Sequence, residues 1–78
     1  MKVKAWAKML PAEDGLILSI PEYGLTIIGK SYDDAIHRMT EKLGVEARIR
    51  INSGEKLPPP ILSTTNEVVG GVWREAEV

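Results

Sequence analysis

Residues 2 to 9, KVKAWAKM, alternate without a break: Val3, Ala5, Ala7 and Met9 face one way, and Lys2, Lys4, Trp6 and Lys8 the other. A period of two with one apolar side predicts a half-buried strand, so the chain must supply a layer to cover that side. With 78 residues it holds one small domain, spanning 1–78. Phe and Cys are both absent and there are two Trp, so the core must be thin and aliphatic, with no disulfide or thiolate zinc site to staple it. One sheet covered by one helix at this size supplies only about 3 to 5 kcal/mol, which makes dimerisation an attractive source of further burial.

Glu13, Asp14 and Gly15 form a turn signal after Pro11, and Leu16 to Ile20 follows as the second strand of a hairpin. Pro21 ends that strand, Tyr23 and Gly24 turn the chain, and Leu25 to Ile28 make a third short strand. Ser31 then stands where a helix N-cap belongs, with Asp33 and Asp34 in the first turn, where negative charge suits the helix dipole. Ala35, Ile36, Met39 and Leu43 share one stripe of an amphipathic helix, and His37 points away from it as a solvated residue. The end of this helix has two readings. Gly44 is either its C′ residue, after which Val45, Ala47, Ile49 and Ile51 alternate as a strand, or an interior glycine of a helix that stops at Asn52, Ser53 and Gly54. The local pattern favours the strand. The run from Leu57 to Asn66, with Pro58, Pro59 and Pro60, reads as an extended connector. A last strand covers roughly 67 to 77; Gly70 and Gly71 within it mark a bulge or a close backbone approach. The whole is an α+β domain in βββαβ order, a small antiparallel sheet with one helix packed on one face.

Gly24, Gly29, Lys30 and Ser31 also satisfy the phosphate-loop pattern G-x-x-x-x-G-K-[ST]. Such a loop needs a curled backbone whose amides converge on an anion. The residues inside it here are Leu25, Thr26, Ile27 and Ile28, three of them β-branched and suited to a strand. The nucleotide-binding reading is therefore a remote alternative. Lys and Arg total 10 against 11 Asp and Glu, a net charge of -1 that argues against a dedicated nucleic-acid binder. A local strip of Lys2, Lys4, Lys8, Arg48 and Arg50 with Trp6 to stack on a base is the alternative to be tested. No apolar run reaches the length of a bilayer span, and the expected location is the cytoplasm.

The order strand, hairpin, strand, Pro-acidic-x-Gly turn, Gly-x-Ser/Thr cap and acidic-Ala helix resembles the HicB antitoxin superfamily, whose run is approximately G-x-x-x-x-x-P-D-L-P-G-C-x-x-x-G-x-T-x-E-E-A. Gly15, Pro21, Glu22, Gly24, Gly29, Ser31, Asp33, Asp34 and Ala35 fall on its marked positions, and Gly54, Glu55, Leu57, Pro58 and Pro60 are similar to its later G-E-x-I-P-x-P-S segment. The distance between the two segments favours a helix that continues past Gly44. The family's second turn proline is missing here, and Leu25 replaces a commonly small residue. The resemblance implies a partial ribonuclease-H-like fold, a stand-alone domain with no separate DNA-binding module, no catalysis, no cofactor and no metal. It also implies a HicA-type RNA-cleaving toxin as partner. The carboxylates agree with a non-catalytic chain: Asp33 and Asp34 are explained by the helix start, whereas two-metal chemistry needs several acids converging from strands.

The surface expected to meet a partner is the sheet face opposite the helix, with Trp6 from the first strand, Ile17 from the second, Ile28 from the third and Trp73 from the last. Large aromatics among polar residues are what interface hot spots look like. The competing expectations are that this patch is a contact in a homodimer or higher homo-oligomer, or that Trp6 and Trp73 pack on each other across adjacent strands, with Lys2, Lys4 and Lys8 opposite Glu75 and Glu77.

Overall fold

The structure, a computed structural model, describes residues 1–59 and 70–78. Four strands, β1 (Lys2–Ala12), β2 (Gly15–Ile20), β3 (Leu25–Gly29) and β4 (Gly71–Glu77), form one antiparallel sheet in the order β3-β2-β1-β4. One helix, α1 (Tyr32–Asn52), lies on one face. The expected α+β architecture in βββαβ order is the observed one. Most of the connector expected over 57–66, and the 67–69 start of the last strand, lie outside the described residues.

The alternation in β1 sets the layers. Val3, Ala5 and Ala7 are buried with Leu18, Ile20 and Ile27 of the neighbouring strands and Ala76 of β4. Against them α1 buries Ala35, Met39, Leu43 and Ala47, every fourth residue on one side of the helix. Arg74, the charged residue of β4 on the helix side, has its Nε buried without a hydrogen-bond partner among the described residues.

β1 runs further than expected, through Pro11 to Ala12, where Ala12 pairs with Gly15 across a two-residue hairpin turn. Proline is tolerated there for a geometric reason. The Met9 amide donates to the Gly70 carbonyl, 3.1 Å away on the β4 side. Amide direction repeats every second residue, so the donor that Pro11 lacks would also point to that side and away from β2. The β1–β2 ladder therefore loses nothing.

Pro21–Tyr23 is a single 3-10 turn closed by Gly24 at φ 65°, and Tyr23, expected only as a turn residue, is buried in the core. Arg50 from the last turn of α1 covers it, with its guanidinium carbon 5.0 Å from the ring centre and its Nη1 donating to the Glu22 carbonyl. Burial raises the Tyr23 pKa, and the Arg50 charge partly offsets it.

The helix passes through Gly44, so the strand favoured by the local pattern over 45–52 is not formed. Its alternating set is split: Ala47 is buried, while Val45 and Ile49 are 59% and 53% exposed. Continuing the helix places Ala47 on the sheet and carries Arg50 to Tyr23. Gly44 lies where α1 crosses β4, so close that a Cβ on it would sit 3.5 Å from that of Ala76. The glycine that ends the helix is Gly54, at φ 79°: the Glu55 amide donates to the Arg50 carbonyl and the Gly54 amide to the Ile51 carbonyl, a Schellman closure.

Candidate functional site

The G-K-S run is consumed by the corner between β3 and α1. Leu25–Gly29 is strand backbone paired with β2, from Ile20↔Leu25 to Leu16↔Gly29. Ser31 Oγ accepts from the Asp34 amide at 3.2 Å, and Asp34 returns a carboxylate oxygen to the Lys30 amide at 2.9 Å. Both are amides a bound anion would need at this helix start, and the exchange resembles a capping box whose return bond goes to the residue before the cap. The Lys30 amide and, next, the Arg38 guanidinium hold the Asp34 pKa below the usual carboxylate value. Gly29 is here for contact: a Cβ on it would meet the Ala35 backbone at 2.5 Å. Small residues at 29 and 35 let strand and helix touch, which accounts for both without a ligand.

The four residues expected on the outer face, Trp6, Ile17, Ile28 and Trp73, all lie there. Residues 3, 5 and 7 of β1 point to the core, so the even ones point away, and the strand registers carry that parity across the sheet. From the hairpin tip downward, the first row is Leu10, Ile17 and Ile28 on β1, β2 and β3. The next holds Lys8, Ser19, Thr26 and Gly71, after which only β1 and β4 continue, with Trp6 beside Trp73, Lys4 beside Glu75 and Lys2 beside Glu77. Of the lysines expected to face acids, Lys8 faces Gly71 instead.

Sequence reading missed Leu10. It has the same parity as Trp6, and stopping the strand at Met9 ahead of Pro11 removed it from the face. The row it completes is open: Leu10 is 54% and Ile28 64% exposed, and no described element packs over them.

At the other end the indoles of Trp6 and Trp73 meet edge to face, with ring centres 5.4 Å apart, and the Lys4 ammonium lies 5.2 Å from the Trp73 ring centre. The Trp6 ring lies against Gly71, where any Cβ would clash with the indole. Of the two expectations for the glycine pair, close approach therefore applies. The aromatic pair is partly buried by its own packing and by Gly71, which leaves less of each ring for a partner than the sequence implies.

Arg48 and Arg50 stand on α1, across the sheet from Lys2, Lys4, Lys8 and Trp6, and Arg50 is engaged with Tyr23, Glu46 and the Glu22 carbonyl. The five basic residues do not make one strip. Among the described residues no helix is long and apolar enough to cross a membrane. Comparison with protein-family models, curated proteins and solved structures finds no match to this chain.

Proposed function

We propose that the chain is a non-catalytic protein-binding module, a HicB-like antitoxin that neutralises a small HicA-type RNA-cleaving toxin by covering it. The observation that carries the binding reading is the open row Leu10–Ile17–Ile28, three aliphatic side chains held side by side on rigid sheet backbone with nothing described above them. An uncovered apolar patch on a small domain marks a site of protein association. The toxin as partner rests on the resemblance of the run from Gly15 to Ala35. In this reading Ile17 and Ile28 anchor the partner, and Trp6 and Trp73 extend the surface toward β4.

The test is co-expression with a HicA-type toxin encoded beside this chain. Wild-type protein is expected to restore growth and keep cellular RNA intact, and Ile28→Asp to lose both effects while remaining folded by circular dichroism. Protection that survives the paired change Ile17→Asp and Ile28→Asp would refute the assignment of this face.

A further inference from the structure

The registers of β1 and β4 write a charge pattern that is complementary to itself. On the outer face the two strands carry, row by row, Lys2 and Glu77, Lys4 and Glu75, and Trp6 and Trp73. Consider a two-fold axis parallel to these strands, above the gap between them. It stacks a second copy face to face, puts that copy's β4 over β1, and keeps every row at its own height. Lys2 then meets Glu77 of the other copy, Lys4 meets Glu75 and Trp6 meets Trp73, each contact occurring twice. The axis turns the lateral pairing of the sheet into a vertical one, and no like charges oppose each other.

We infer that the β1–β4 half of the outer face is a homodimer interface of this geometry. The inference builds on the reading of the outer face as a binding surface and divides it. Stacked sheets sit about 10 Å apart, a spacing that side chains of Trp and Lys size fill from both sides. The four indoles become the anchors, flanked by the alternating Lys–Glu rows on one side and by Lys8 over Gly71 on the other. β2 and β3 of each copy extend outward beyond the other copy's β4. Ile17 and Ile28 thus stay open in the dimer, which carries two copies of the aliphatic row for a partner.

The footprint is two strands wide and about 23 Å long, which places it at the low end of specific interfaces, below about 1,200 Å² in total. A dimer that forms at tens of micromolar and dissociates on dilution is therefore expected.

The charge rows give the decisive experiment, sedimentation equilibrium of Lys4→Glu and Glu75→Lys alone and mixed. Each single variant sets like charges against each other at both symmetry-related contacts, and its dimer should be weaker by about tenfold or more. In an equal mixture, the carboxylate placed at 4 in one chain meets the ammonium placed at 75 in the other, while the untouched Glu75 and Lys4 meet in turn. A heterodimer of near wild-type affinity should form. The clash between neighbouring strands inside each variant is the same alone or mixed, so recovery on mixing reports contact between chains. Wild-type protein that stays monomeric at 100 µM overturns the inference, as does a mixture that does not recover. A dimer indifferent to both changes lies on another surface, such as the exposed Val45–Ile49 ridge of α1, and also overturns it. Ile28→Asp should leave the dimer intact while abolishing toxin binding, so the two readings fail separately.

Discussion

Replacing Gly44 by alanine tests the course of the helix through its sign. In the structure Gly44 is an interior helical residue, and the added methyl would meet the nearest atom outside the helix, the Ala76 Cβ, at 3.5 Å, an ordinary van der Waals distance. Nothing has to move. The helix-propensity difference of about 1 kcal/mol in favour of alanine should therefore appear almost undiminished, as a stabilisation of about 0.5 to 1 kcal/mol. For a domain of this size that corresponds to a rise in Tm of about 4 °C. Urea titration followed by circular dichroism at 222 nm, with both proteins at one concentration so that self-association does not enter the comparison, measures it. If Gly44 instead closed the helix in a left-handed conformation, alanine would be strained and the protein less stable. A lowered urea midpoint would refute the continuous helix and return residues 45–52 to a strand.

Gly71→Ala should cost about 1 to 3 kcal/mol and push the Trp6 indole off the sheet, seen as a red shift of tryptophan fluorescence; an unchanged spectrum would contradict the packing of Trp6 on Gly71. Asp34 has its folded-state pKa held below the unfolded value by the Lys30 amide and Arg38, so its contribution is present above about pH 4 and disappears as pH falls through the lower folded value. Asp34→Asn should therefore flatten the dependence of stability on pH in that acid range, and an unaltered slope would remove the capping role. Ser31→Ala should lower stability by about 1 kcal/mol, and Lys30→Ala, at an exposed position before the cap, by far less; the reverse order in urea melts would reopen the anion-loop reading.

Where the residues admitted one geometric solution, the fold was legible. The unbroken alternation of residues 2 to 9 fixed both faces of β1, and with them the outer positions of Trp6 and Trp73. Ser31, with Asp33 and Asp34 in the turn after it, marked the helix start. The segment 45–52 was not legible locally, because Val45, Ala47, Ile49 and Ile51 satisfy a period of two while Leu43, Ala47 and Arg50 satisfy the helix. The choice depends on tertiary partners, Tyr23 and Ala76, that a local window does not contain. Leu10 was hidden by the habit of ending strands at proline; the donor that Pro11 lacks points away from β2, so the β1–β2 ladder continues past it. Tyr23 looked like turn chemistry because its turn is real; its burial comes from the core and from Arg50, 27 residues further along the chain.

Pro11 has a further effect, on association by strand addition. An exposed strand edge invites an extended segment of another molecule to pair with its amides. On its side away from β2, Pro11 offers a carbonyl and no donor, so a strand pairing there would find half a ladder. A proline at this position thus discourages strand addition beside the hairpin, and it does so without a charge that would interrupt the aliphatic row on the opposite side of the hairpin.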